Sequence, residues 1–301
     1  MAASPLRTRV VHANDLDFAI LEAGSANGPL ALCLHGFPDS AHTWRHLLPD
    51  LANAGFRCVA PFMRGYAPTG IPADGAYGVG ALAADANALH ETLGGGGDAV
   101  LIGHDWGAEA AYAAAAHAPG RWRRLVTLAV PPASMDPVLF SDYDQLKQFF
   151  YLFMFRDPTG FADAVVAADE MAFIDRLWRD WSPGYDATQD LANVKECLRE
   201  PAHLAAAIEY YRQPGAGDSD NAEKYAAEQQ AALRTAPQPT LYLYGTQDGC
   251  IAANLSRGAG PLLAPASRVV AIEEAGHFLH LERPREVNEH ILTWIGADNP
   301  N

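Results

Sequence analysis

The chain has 301 residues, 49% of them hydrophobic and 19% charged, a size and composition that bury a substantial core. Twenty-one basic residues stand against 36 acidic ones, giving a formal net charge of −15. No Lys/Arg cluster supplies the basic field that nucleic acid or an anionic membrane surface requires, so the expected partners are a small neutral molecule and water.

The four cysteines, Cys33, Cys58, Cys197 and Cys250, are far apart and form no CxxC pair. Cys33 and Cys58 lie in or beside apolar runs and read as small buried hydrophobes. The amino terminus lacks a continuous apolar segment of the kind a leader needs, and no run of about 18 apolar residues occurs. The expectation is a soluble, cytoplasmic protein.

In chain order, Arg9–His12 and Asp17–Leu21 are short apolar runs separated by a few polar residues, which suits an antiparallel edge hairpin. Leu30–Leu34, Arg57–Pro61, Ala99–Ile102 and Leu125–Val130 then alternate with helix-like segments at Ala41–Ala54, Val79–Leu93 and Ala108–Ala118. Parallel neighbours need such crossovers, so the pattern predicts an α/β fold with a mostly parallel sheet. It breaks at Pro131-Pro132. From 134 to 237 the sequence is helical in character and rich in aromatic residues. Strands return at Thr240–Tyr244 and Arg268–Ile272, followed by a helix near Glu286–Ile295. The organisation expected is a core from 1–133 and 238–301 with a helical cap of 134–237 over the carboxyl ends of the strands, where sheets of this kind bind ligands. Gly94–Gly97 has no helix start or Lys behind it and reads as a loop, not a phosphate cradle.

The informative segment is Gly103-His-Asp105-Trp-Gly107, at the end of a strand pattern and the start of an alanine-rich helix. A G-x-nucleophile-x-G turn in that setting presents its central side chain above the sheet, with a helix amino terminus aimed at it. Here the central residue is Asp105. A carboxylate is a poor acyl-transfer nucleophile, but it displaces leaving groups from saturated carbon to form an alkyl ester. Two partners follow in order: Asp248, in the turn after the Thr240–Tyr244 strand, and His277, in Gly-His after the next strand. The histidine can take a proton from water and the acid can fix its tautomer. The loop His35-Gly36-Phe37-Pro38 follows the Leu30–Leu34 strand and can turn the Phe37 N–H toward the nucleophile beside that of Trp106, forming an oxyanion hole.

On these segments the chain resembles the α/β-hydrolase superfamily, in the branch of epoxide hydrolases and haloalkane dehalogenases. The resemblance implies Asp105 as nucleophile, His277 as base, Asp248 as orienting acid, and Phe37 and Trp106 as amide donors. One departure is Pro61-Phe-Met-Arg-Gly65, where relatives commonly have Asp after the proline. The two halves of the branch differ at the leaving group. An alkoxide needs a proton donor, and the resemblance implies two cap tyrosines, Tyr151 and Tyr211; a halide needs only N–H donors. Leu204, Ala207, Ile208 and Tyr211 share one helical face, although that spacing alone also suits a packing role, as does the all-apolar setting of Tyr151. Haloalkane dehalogenases commonly carry Asn where this chain has Phe37, so that reading requires an indole of Trp178 or Trp181 as second halide donor. The epoxide is favoured, as a small apolar substrate, with no cofactor and no metal. His35, Phe150, Met154, Trp178 and Trp181 are expected to border the substrate. His104 and His280 read as structural, since His277-x-x-His280 lacks a third ligand. A non-catalytic ligand receptor on the same scaffold is the rival from another class, and the intact chemistry at each position argues against it.

Overall fold

The computed structural model describes residues 6–213 and 223–296. Eight strands form one sheet in the order β1-β2-β4-β3-β5-β6-β7-β8. They are β1 (Arg7–Ala13), β2 (Leu16–Ala23), β3 (Leu30–Leu34), β4 (Arg57–Pro61), β5 (Ala99–His104), β6 (Trp122–Leu128), β7 (Thr240–Gly245) and β8 (Arg268–Ile272). β1 and β2 form the expected antiparallel hairpin, and β2 pairs antiparallel with β4; every other pairing is parallel. β3, β5 and β7 are buried along their whole length, as parallel strands covered on both faces must be, whereas β1 exposes most of its residues at the edge.

Helices α2 (Val79–Thr92) and α3 (Trp106–His117) pack together on one face. Helix α1 (Leu47–Asn53) and the carboxyl-terminal helix Pro284–Gly296 pack on the other. The stretch read as one helix at Ala41–Ala54 is broken into a 3-10 turn, Ala41–Arg45, and α1. The alanines of α3 are nearly all fully buried, so the lack of bulk lets this helix lie close against the sheet.

Between β6 and β7 the chain is helical, with Tyr143–Gln148, Phe150–Phe155, Phe161–Trp181, Thr188–Cys197 and Pro201–Arg212 as its main elements. Phe161–Trp181 is interrupted at 168–171, where Asp169, Glu170 and Met171 have positive φ. The helix Ala226–Ala231 does not join this group. It packs on α2 and α3, with Gln229 Oε1 accepting the Gly80 N–H at 2.9 Å, so the end of the 134–237 range returns to the core. The segment 214–222 lies outside the described residues. All four cysteines are free and buried. No described helix is long and apolar enough to cross a membrane.

The strand order changes direction around β3: the chain leaves β3 for β4 on one side and returns to β5 on the other. Loops diverge at such a point and leave a crevice beyond the strand ends. Leu34 of β3 is in register with Gly103 of β5, so His35-Gly36-Phe37 and Asp105 emerge side by side.

Candidate active site

Asp105 joins β5 to α3 with φ 54° and ψ −123°, a backbone conformation that a non-glycine residue adopts only under strain. The glycines around it are required by contact. A Cβ on Gly103 would lie 2.1 Å from the Gly107 carbonyl oxygen, and one on Gly107 would lie 2.2 Å from that of Leu34. Gly36 is equally constrained: its Cβ would meet Asp105 Oδ1 at 2.2 Å. The backbone of the 35–38 loop thus lies directly against the aspartate, and the Phe37 N–H donates to Asp105 Oδ1 at 2.6 Å. Trp106 is the first residue of α3, so its N–H belongs to the helix amino terminus.

His277 Nε2 stands 3.6 Å from Asp105 Oδ2, and its Nδ1 is 3.0 Å from Asp248 Oδ2. Asp248 is fixed in turn by the N–H groups of Cys250 (2.7 Å) and Ile251 (3.0 Å), which donate to its Oδ1. His277 is fully buried. Burial disfavours its charged form, yet the negative charge of Asp248, with the Asp105 carboxylate close by, outweighs this and holds the imidazole well above its ordinary value.

Asp105, Trp106, Tyr151 and Tyr211 line a cavity of about 200 Å³. The Tyr211 hydroxyl is buried and has no hydrogen-bond partner among the described residues. The Tyr151 hydroxyl lies 3.3 Å from Cys250 Sγ. The two rings meet edge to face with centroids 5.7 Å apart. Burial, with the nearby negative groups, pushes both phenols well above their ordinary value, so they remain protonated.

The structure corrects the expected substrate contacts. His35 Nε2 accepts the Met63 N–H at 3.0 Å, which leaves Nδ1 to donate to the Gly36 carbonyl at 2.9 Å. It braces the loop and does not line the cavity. Trp178 donates its indole N–H to the Pro38 carbonyl at 2.8 Å and stacks on Phe278 at 3.5 Å between centroids. That indole is committed to protein and is not a halide donor. Trp181 packs edge-on against His277, with centroids 5.0 Å apart, and is not part of the cavity wall. Phe150 is half exposed, and neither it nor Met154 lines the cavity; Phe149 and Leu152 do so instead. His104 Nε2 lies 3.0 Å from the His277 carbonyl oxygen, and His280 Nε2 lies 2.6 Å from Thr43 Oγ1. Neither lines the cavity.

Sequence reasoning missed Leu139, Val130, Ile251, Cys250, Glu109, Asp136 and Arg156 among the lining residues. Only Glu109 carried a signal, four residues after Asp105 and so one turn further along the same helix. Arg64, at the departure from the family pattern, is buried and clamped by Asp85 through two hydrogen bonds of 2.6 Å, remote from the nucleophile's contacts.

A family model described as the alpha/beta hydrolase fold matches residues 29–284. The chain belongs to this family, in its epoxide hydrolase branch. Epoxide hydrolase A of Mycobacterium tuberculosis is 30% identical, with 95% of this chain and 96% of that protein aligned. An epoxide hydrolase of Caballeronia sordidicola is 28% identical over 94% of this chain and 91% of that one. Among solved structures, epoxide hydrolase A from Mycobacterium thermoresistibile superposes with a TM-score of 0.79 at 26% identity, covering 97% of this chain and 99% of that one.

Proposed function

We propose that this α/β hydrolase is an epoxide hydrolase that opens an epoxide to a vicinal diol through an ester on Asp105. The observation that carries the reading is an aspartate, not a serine, on a strained elbow, facing two cavity tyrosines and a buried His–Asp pair. The epoxide oxygen accepts hydrogen bonds from the Tyr211 and Tyr151 hydroxyls. An Asp105 oxygen attacks a ring carbon, a C–O bond of the ring breaks, and a tyrosine delivers its proton to the departing alkoxide. The ester removes the negative charge of Asp105, which is one of the groups favouring protonated His277. Alkylation therefore moves the imidazole toward the neutral form that serves as base.

His277, oriented by Asp248, then takes a proton from water as the water oxygen attacks the carboxyl carbon of Asp105. The oxyanion forms on the enzyme's own side chain, where the Phe37 N–H already donates and the Trp106 N–H is the natural second donor. Collapse of this intermediate expels the diol's alkoxide, which takes the proton from His277; the second proton of the attacking water, left on the Asp105 carboxyl, returns to the tyrosinate and restores both the carboxylate and the phenol. The Trp178 contact with Pro38, and the position of Trp181 outside the cavity wall, disfavour the haloalkane dehalogenase alternative, and a non-catalytic receptor has no use for the strained aspartate.

The test is His277→Gln with styrene oxide. Alkylation is expected to proceed and hydrolysis to stall, so the intact mass rises by one substrate on a peptide containing Asp105. Diol release at the wild-type rate would show that Asp105 and His277 do not act in this sequence.

A further inference from the structure

The cavity is not uniformly apolar. Its wall also carries Glu109, together with Asp136 and Arg156, which are exposed to solvent. Glu109 is partly buried, and its carboxyl makes no hydrogen bond or ion pair with any described residue. Arg156 lies over the Phe140 ring, 6.0 Å from its centroid, and forms no ion pair with either acid among the described residues. Three carboxyl groups, Asp105, Glu109 and Asp136, thus border one cavity that also has the unpartnered, buried Tyr211 hydroxyl on its wall. Burial, reinforced by Asp136 and then Asp105, pushes Glu109 up to about 8, as happens when nothing nearby compensates a carboxylate.

Resting on the epoxide hydrolase reading above, we infer that Glu109 is a specificity-determining residue, and that the substrate is an epoxide whose side arm ends in an N–H or O–H donor placed to meet the Glu109 carboxyl. One helical turn separates Asp105 from Glu109, on the order of 6 Å along the axis. An arm whose donor atom lies about five bonds from the nearer ring carbon spans this distance when extended. A hydroxyl on the arm satisfies the carboxyl by hydrogen bonding. An ammonium does so and also offsets the excess of acidic groups around the cavity, in a chain whose net charge is already −15.

The experiment compares kcat/KM for 5,6-epoxyhexan-1-ol and 5,6-epoxyhexan-1-amine with 1,2-epoxyheptane, in which a methyl replaces the donor. Wild type is expected to prefer at least one donor-bearing substrate over the alkyl control by roughly tenfold or more, the scale of one hydrogen bond to a charged or charge-capable acceptor. That preference should fall to within about twofold in Glu109→Leu, while Glu109→Gln, which keeps an acceptor, should retain most of any preference for the alcohol. An amine preferred well above the alcohol identifies charge as the dominant recognition; equal preference identifies the hydrogen bond. The alkyl control reports on folding and chemistry in each variant, so the ratios isolate the arm. Diol formation with the same ratios in wild type and Glu109→Leu, or with no donor preference in wild type, overturns the Glu109 assignment and leaves the hydrolase reading standing. No diol from any of the three substrates in wild type overturns both.

Discussion

At the scale of single residues, the site is built from groups whose surroundings hold them away from their relaxed states. Asp105 carries backbone strain, His277 is held toward the imidazolium by its neighbours, and Glu109 is held toward the neutral acid. The last of these has a consequence for stability. The folded value of Glu109, about 8, lies above its ordinary value of 4.5. A raised folded value means that the native state holds the proton more tightly than the unfolded chain does. The resulting stabilisation is complete below the unfolded value and is lost as pH rises through the folded one. Burial, and then Asp136 and Asp105, resist the ionisation of this carboxyl, whereas Arg156, also on the cavity wall, favours the charged form of Asp136. A Glu109→Gln variant, which cannot ionise, is therefore expected to match wild type near pH 4 and to melt a few degrees higher near pH 9. Thermal denaturation at the two pH values checks this; an equal offset at both would show that the carboxyl ionises freely in the fold.

At the scale of elements, tyrosine placement depends on helix register. Pro201–Arg212 is amphipathic enough for the sequence to show Tyr211 on its buried face, and the structure places the ring there. Tyr210 is also buried, but it turns away to donate to the Arg64 carbonyl at 2.8 Å. Phe150–Phe155 is apolar at every position, so no periodicity separates the residues facing the cavity from those facing solvent. That is why Phe150 and Met154 were expected where Phe149 and Leu152 stand. The two hydroxyls also differ: that of Tyr151 touches Cys250 Sγ, whereas that of Tyr211 has no partner among the described residues. Tyr211→Phe is accordingly expected to slow ring opening more than Tyr151→Phe, each by about tenfold or more, the scale of a lost general acid. The double variant should be nearly inactive toward epoxides while keeping its fold. Single-turnover rates of Asp105 alkylation measure this directly, and full activity in the double variant would remove both tyrosines from the mechanism.

The same contrast explains how far the sequence could be read. The elbow, the loop after β3, Asp248 and His277 were legible because each is tied to a strand end and constrained by glycines whose absence of a Cβ is a contact requirement. The parallel strands were legible because they leave apolar segments punctuated by turns, and the β1–β2 hairpin because two short runs are separated by a few polar residues. The cavity wall was not, since it is assembled from β6, the cap and the turn after β7, and no local spacing records such contacts. The roles of His35 and Trp178 were hidden for the same reason: both hydrogen-bond to backbone groups, which sequence pattern does not display.

At the scale of the whole molecule, the helical segment between β6 and β7 does more than cover the cavity. The carbonyl of Trp181, at the end of Phe161–Trp181, accepts the N–H of Gly249 at 3.2 Å and that of His277 at 2.9 Å. One helix end, whose last carbonyls lack partners within the helix, thus fastens both the Asp248 turn and the His277 turn. Ser182 extends the clasp: its Oγ accepts the Phe278 N–H at 3.1 Å and donates to Glu282 at 2.6 Å, while Glu282 also accepts the Gly276 N–H at 2.9 Å. The acid–base pair is therefore positioned jointly by this helical segment and the loops of the sheet, whereas Asp105 is held by β5, α3 and the Phe37 N–H. This division predicts separable kinetics. Ser182→Ala leaves the Phe278 N–H without its acceptor in a buried setting, a cost of about 1–3 kcal/mol that should lower Tm by several degrees. Alkylation of Asp105, which relies on core elements and the cap tyrosines, should stay within about twofold of wild type, while ester hydrolysis slows several-fold as His277 loses its support. In a rapid-quench experiment the variant should then accumulate more of the covalent intermediate than wild type does. If both steps slow together, the clasp serves the cavity as a whole; if neither changes, His277 is held by Asp248 and Trp181 without it.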